Sequence, residues 1–403
     1  MELFWLEHKK LWRKKIVKIC VLLCFVYCVI FGSILWFQWF GFGSSDDYTS
    51  AFGNNFDGYT VIKDSQEYAL SFGGELTDET LQKIVSDYQQ MEADGMGEEL
   101  EKTDWQIVNS WLGTLYPELR DTSNYKTMIS YVDPDKLTGF YERRQQVLDE
   151  FLEVSGQVGA EKEFLHQIER KVEKPFHYEW VEGWSTLLGS IVADLGVVMA
   201  LFLGIVLSSL FAGEWHDNTS TLVLTTRNGW GKIALAKILT GLAFTVELFA
   251  LLAVSNVISQ LFFMGTAGWD MPIQNIKLIA VAPMNMLQAE IYEYAFVLLG
   301  AIGFAGIVMF ISAAVKNNVL TLLLSLAVVY GPMMIAEYLP YEMQKALDLI
   351  PLVGSSTDIF RTNTFRIFGK LIWSPYLLIT IPVLIGILCM SFAIKSWSRR
   401  MKA

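Results

Sequence analysis

The chain has 403 residues, with 31 Lys+Arg against 42 Asp+Glu, a formal net charge of −11, 53% apolar residues and 18% charged residues. Soluble globular chains carry about a quarter charged residues, so this composition argues against an ordinary soluble enzyme, a disordered chain and a nucleic-acid binder. It predicts a membrane protein with an attached polar domain. The charge is uneven: residues Ser44 to Glu182 hold 29 acidic and 12 basic residues, and the remainder holds 13 and 19.

At the N-terminus, Met1, Phe4, Trp5, His8, Leu11 and Trp12 recur at helical spacing, while Glu2, Lys9, Arg13 and Lys14 fall away from that stripe. The pattern predicts an amphipathic helix over residues 1–15 lying in the inner membrane interface, with Phe4, Trp5, Leu11 and Trp12 in the apolar layer and Lys10 and Arg13 among the basic groups. A plain positive-inside anchor would need the charges but not the aromatic stripe.

A spanning helix needs ~20 mostly apolar residues. Six runs qualify: Ile19 to Gly43, Trp184 to Gly213, Ile238 to Trp269, Tyr294 to Val315, Asn317 to Ala336 and Leu371 to Ile394. The fourth and fifth are separated by little more than Lys316-Asn317-Asn318, which predicts a tight helical hairpin. With both termini inside, fourteen Lys and Arg fall on cytoplasmic pieces against Glu2, Glu7, Glu214 and Asp217. Lys and Arg near span ends set orientation, so the predicted topology is N-in/C-in with the acidic block outside. The resulting organisation is an interfacial helix (1–15), a first span (16–43), a mainly helical extracellular domain (44–182) and five further spans (183–403). Cys20, Cys24 and Cys28 share one helical face and Cys389 lies in the last run; all read as apolar packing residues rather than metal ligands.

In the acidic block, Thr77 is placed to cap a helix from Asp78 to Met91. Asp133-Pro134 supplies a cap and a first-turn proline for a helix running through Phe140 and Phe151. A further helix is expected from Glu161 to Glu173 and an extended piece near Tyr59 to Ile62. At ~140 residues the block is large enough to bury its own core. Its carboxylates match no EF-hand loop, and His166 and His177 sit in no zinc-binding frame.

No G-x-x-x-x-G-K-[ST] occurs, so the chain is not itself a P-loop ATPase. The second cytoplasmic loop reads FAGEWHDNTSTLVLTTRNGWGKIALAKIL and leads directly from one span into the next. It resembles the permease subunits of type-2 ABC exporters, which show a Glu at the end of the second span, a Leu-rich helix, a turn and a Lys entering the third span. The matching positions are Glu214, Thr219, Leu222, Leu224, Gly229, Lys232 and Lys237, with Arg227 in the turn. Asn218 stands where Gly is usual, and the turn lacks a Pro-x-Ser-Arg. The basic elbow WLEHKKLWRKK, the six spans and the large outer insertion extend the likeness to most of the chain, and the insertion is similar to those of Gram-positive members.

The resemblance implies a permease in the bacterial plasma membrane, paired with an identical or related second permease and with separate ABC ATPase subunits. Those partners would hold ATP and Mg²⁺; this chain would bind no cofactor and do no bond chemistry. Loop 214–237 would couple the two. An ordinary amphipathic interfacial loop is the simpler reading. The expected cargo is an amphipathic peptide, lipid or hydrophobic antibiotic, with Na⁺ as an alternative. A ligand-binding receptor or sensor and an intramembrane enzyme are the competing classes. A receptor should carry a signalling output, and an enzyme clustered catalytic groups.

Two carboxylates, Asp194 and Glu247, interrupt the second and third runs, each counted at ~15 Å depth. Charge there is expensive and should face a partner or a cavity. Two readings stand: a translocation path continued by Ser255, Asn256 and Gln260, or helix-packing hydrogen bonds.

Overall fold

In the computed structural model, which describes residues 2–39, 58–96, 100, 105–188, 192–216, 231–354 and 363–399, the apolar runs fold as long helices. Helix α1 (Glu2–Arg13) breaks at Lys14 and is followed by α2 (Lys15–Trp39), which carries the first predicted run. Among the described residues, five helical stretches are long and apolar enough to cross a membrane: Leu195–His216, Gly231–Phe262, Met286–Val315, Asn318–Tyr338 and Ser374–Ser398. The chain is thus an α-helical, multi-pass membrane protein.

The run boundaries move where polar chemistry intervenes. The second run splits into a short α8 (Glu182–Thr186), α9 (Val192–Leu207) and α10 (Ser209–His216). At the break after Leu207, Ser312 Oγ accepts from Phe211 N at 3.1 Å and Ala212 N at 3.0 Å, and donates to Ser208 O at 2.7 Å. A neighbouring hydroxyl thereby satisfies backbone groups that a broken apolar helix would leave bare. The third run is one helix, α11 (Gly231–Met264). The fourth, α12 (Met286–Val315), starts two turns before the hydropathy edge because Asn285 and Gln288 form a reciprocal capping box. Lys316, at φ 62°, ends α12, and Asn317 caps α13 (Asn318–Ile335) through Leu320 N at 3.0 Å, giving the predicted hairpin. A short helix α14 (Tyr341–Leu347) follows. The sixth run loses its start to a strand before α15 (Ser374–Arg399).

The tightest helix crossing joins α12 and α15. A β-carbon on Gly306 would lie 2.6 Å from the Gly386 carbonyl oxygen, and Gly303 faces the Pro382 carbonyl more closely still. Small residues at such a crossing let backbones meet, which is the main source of helix association in lipid.

At one end of the bundle lie α1, the end of α10, the start of α11, the Lys316 turn and Trp397. Trp397 packs on Phe211 and Trp215, and Lys316 Nζ sits 4.2 Å from the Trp215 ring centre. At the other end sits the acidic block: α3 (Gly58–Ser71), α4 (Asp78–Ala93), α5 (Trp105–Leu115), α6 (Phe140–Val154) and α7 (Ala160–Glu169). Strand β1 (Gly74–Glu75) pairs with β2 (His177–Tyr178), antiparallel.

Thr77 caps α4 through Thr80 N, as its sequence position predicts. Residues 59–62 are helical within α3, not extended. Asp133-Pro134 starts only a 3-10 turn, Pro134–Lys136, because Gly139 at φ 71° interrupts the path; α6 begins at Phe140. Its first N–H groups are capped from afar: Asp78 accepts from Gly139 N at 2.7 Å and Phe140 N at 3.0 Å. Helix α7 stops at Glu169, where that carboxylate turns inward.

The block does not close on itself. Residues 265–285 run through its base, where Trp111 Nε1 donates to Asn275 O at 2.9 Å. The guanidinium of Arg144, fully buried, donates to Leu278 O at 2.7 Å and Ala280 O at 3.2 Å and pairs with Glu169 at 2.6 Å. Lys174 reaches the same carboxylate at 2.7 Å. Strand β3 (Thr364–Ile367), paired with β4 (Lys370–Trp373), also joins: Thr364 donates to Gln157, and Arg366 pairs with Glu161 at 2.7 Å. Burial pushes the Tyr141 hydroxyl pKa up to about 12, while it donates to Leu76 O and accepts from Phe176 N.

Two outcomes are expected. Gly306→Leu should separate α12 from α15 and lower the thermal midpoint and yield of purified protein, whereas Gly331→Leu, where an added β-carbon meets nothing, should leave both unchanged. Arg144→Met should destabilise the block by about 2 kcal/mol, because the buried Leu278 carbonyl loses this donor and Glu169 keeps only Lys174 as a cation. Burial pushes Glu169 up, but Lys174 and Arg144 outweigh it and hold its pKa below the usual carboxylate value. The sign follows: that stabilisation is complete above the ordinary glutamate range and is lost as pH falls through the lowered value. Acid unfolding followed by tryptophan fluorescence should show this dependence in the wild type and not in Glu169→Gln.

Candidate functional site

The site is built where α10 ends and α11 begins. Glu214 lies in the last turns of α10 and Lys237 in the second turn of α11; they are 3% and 1% exposed. Lys237 Nζ lies 2.7 Å from Glu214 Oε1 and 2.8 Å from Glu7 Oε2. Lys10 Nζ adds a 2.6 Å contact to the same Glu214 oxygen, and Lys14 Nζ donates to Ser209 Oγ at 2.9 Å. Glu7, Lys10 and Lys14 share one stripe of the N-terminal segment, at i, i+3 and i+7. Two carboxylates and two ammonium groups thus meet, Glu214 and Lys237 buried and Lys10 half exposed, with Lys14 at the edge.

Beside it, α1 makes a second polar contact with α11. Trp12 Nε1 donates to Glu247 Oε2 at 3.1 Å, and His8 Nε2 lies 3.1 Å from Glu247 Oε1. Leu11 is buried, and the Trp12 ring meets Phe244 edge-on at 5.9 Å. Phe4 lines an open groove with Glu2, Leu3, Lys232, Leu235 and Leu239. Contact therefore advances along α11 from Lys232 to Glu247 as α1 advances from Phe4 to Trp12.

Glu214 and Lys237, expected in the coupling loop, meet in an internal cluster. Lys10 turns into that cluster and Arg13 stays exposed, as does Trp5 of the apolar stripe, at 62%. Glu247, expected on a path at mid-depth, is held by His8 and Trp12. The depth count started from Lys237 as an interface marker, yet α11 has 34 residues and is about 51 Å long, well beyond the ~30 Å bilayer core.

Asn256 is buried, and its Nδ2 has no hydrogen-bond partner among the described residues. Asp194 belongs to α9, but its side chain lies outside the described residues, as do Thr219, Leu222, Leu224 and Arg227 entirely. Sequence reasoning missed Glu7, His8 and Lys14 as structural partners. The alternating charge at i, i+3 and i+7 beside a buried Leu11 was the available signal. It also missed Glu290 and Glu293, which lie before the hydropathy edge of the fourth run.

No protein-family model, curated protein or solved structure matches the chain.

Lys237 is the hub, since it bridges Glu7 and Glu214. Lys237→Met should destabilise the folded protein by roughly 3 kcal/mol, because removing one partner leaves buried charge uncompensated. Lys10→Met should cost far less, since that side chain is 49% exposed. Thermal unfolding of the two variants in detergent should rank them in that order.

Proposed function

We propose that the chain is the membrane-spanning permease subunit of an ATP-driven exporter in a bacterial plasma membrane. In this reading it has six spans, counting α2, both termini inside and residues 44–182 outside. Two permeases, identical or related, work with separate ABC ATPase subunits that hold ATP and Mg²⁺. The cargo is an amphipathic peptide, lipid or hydrophobic antibiotic.

The observation that carries this reading is the Glu7–Lys10–Glu214–Lys237 cluster around the buried Glu214–Lys237 pair. It fastens α1 to the end of α10 and the start of α11, the two helices that flank residues 217–230 in the sequence. A partner that displaces this short segment moves both flanking helices as a unit, which is what a coupling element requires. The Leu222 and Leu224 side chains would supply the apolar docking face, and a Leu-rich segment on the water side calls for a cover.

Leu222→Asp or Leu224→Asp should leave the permease in the membrane at wild-type amounts. The same changes should abolish co-purification with the P-loop ATPase that the wild type captures from its own cells, since an unpaired carboxylate in an apolar cleft costs several kcal/mol. Wild-type binding by both variants, or the absence of any ATPase bound to the wild type, would remove the exporter reading and favour a receptor.

A further inference from the structure

Near the end of α12 that faces the acidic block, Glu290 and Glu293 stand about one helical turn apart, at i and i+3. They are 4% and 0% exposed. Both Glu293 carboxylate oxygens are buried and have no hydrogen-bond partner among the described residues. The Tyr294 hydroxyl stands beside Glu290, and the charges acting on Glu293 are those of Glu290 and Lys277. Lys277 lies at an exposed position.

Buried carboxylates are ordinarily paired, as Glu214 and Glu169 are here. One exposed ammonium group against two buried carboxylates leaves this pair a positive charge short. Such a group is too costly to stay bare in an apolar setting and must take up a proton or a metal cation. The i, i+3 spacing puts Glu290 and Glu293 on one face of α12, with Tyr294 one turn on from Glu290.

A cavity of about 330 Å³, open to the surface, lies by the start of the same helix and is lined by Lys171, His177, Asp270, Gln274, Asn285 and Gln288, and by neither glutamate. It reaches the first turn of α12 at Gln288, two residues before Glu290.

We propose that Glu290 and Glu293 form a binding site for one monovalent cation, either a proton or Na⁺. The site does not depend on the exporter reading, and its test involves no ATPase.

The experiment uses the full chain in phosphatidylcholine nanodiscs, with its glutamates labelled with carbon-13, followed by infrared difference spectroscopy. One arm varies pH in potassium buffer; the other adds NaCl at fixed pH against matched KCl. The wild type should show a reversible labelled carboxyl signal that Glu293→Gln lacks, that Glu293→Asp retains outside the labelled band, and whose midpoint Glu290→Gln shifts at least tenfold in ligand concentration. A response to pH alone identifies a proton site, and a response to Na⁺ but not K⁺ identifies a sodium site. If wild type and Glu293→Gln give the same differences in both arms, the proposal is overturned. It is equally overturned by a wild-type carboxyl signal that responds to neither pH nor Na⁺. Should Glu293→Gln fail to fold, the wild-type response and the Glu290→Gln midpoint decide.

Discussion

The buried ion pair between Glu214 and Lys237 is the constraint around which one end of the molecule is arranged. Neither charge could sit at 3% and 1% exposure alone, because the desolvation of a lone ion in a protein interior exceeds what packing returns. Each therefore demands the other, and the shared demand fixes the last turn of α10 against the second turn of α11. Lys10 and Glu7 complete the balance and bring α1 with them. The aromatic contacts of Trp12 and the burial of Leu11 then follow from where α1 has been placed. In lipid, where apolar helices gain little by meeting each other, polar contacts and close packing decide which surfaces pair. The Gly303, Gly306 and Gly386 crossing supplies the second of these means between α12 and α15.

The opposite end uses the same logic in a wetter setting. Arg144 is a complete donor set looking for acceptors, and it finds them in Glu169 and in two carbonyls of the 265–285 segment. The acidic block therefore cannot be lifted from the chain as an insertion with its own closed core. Leu278 belongs to the same apolar cluster as Trp111 and Phe140, and Leu148, Leu152 and Leu165 cluster with Ile273 and Ala280. The segment between α11 and α12 is as much a part of the block as the helices before α8.

The sequence was legible where the signal was local. Length and apolarity located the helices; the short Lys316-Asn317-Asn318 gap between two apolar runs located the hairpin; Thr77 located the start of α4. It misled where a distant group replaced a local one. Asp133 has every property of a helix cap, yet α6 is capped by Asp78, some sixty residues away in the chain. Residues 59–62 read as extended from their composition, and α3 is held in place by contacts that no local pattern encodes, such as Gln66 donating to Met264 O at 2.7 Å. The candidate site was half visible. Glu214, Lys237 and Lys10 carried readable signals one by one, but their convergence on a single oxygen depends on three helices meeting. Glu247 shows the limit of counting residues as depth, because a helix longer than the bilayer has no fixed zero.

Helix α11 connects the two ends. Its second turn holds Lys237 in the ion cluster, and its last residue offers Met264 O to Gln66 at 2.7 Å and to Trp180 Nε1 at 3.3 Å. Gly183 packs against the Met264 side chain, so the start of the second run also rests on this terminus. An uninterrupted helix of 34 residues without proline does not bend sharply. A tilt imposed at Lys237 must therefore appear about 40 Å away at Met264, where the acidic block is attached through hydrogen bonds to that same residue. In the exporter reading this makes α11 the part that turns a displacement of residues 217–230 into a movement of the outer block. The arrangement needs no chain of intermediate side chains, only a rigid rod anchored by charge at one end and by a carbonyl acceptor at the other.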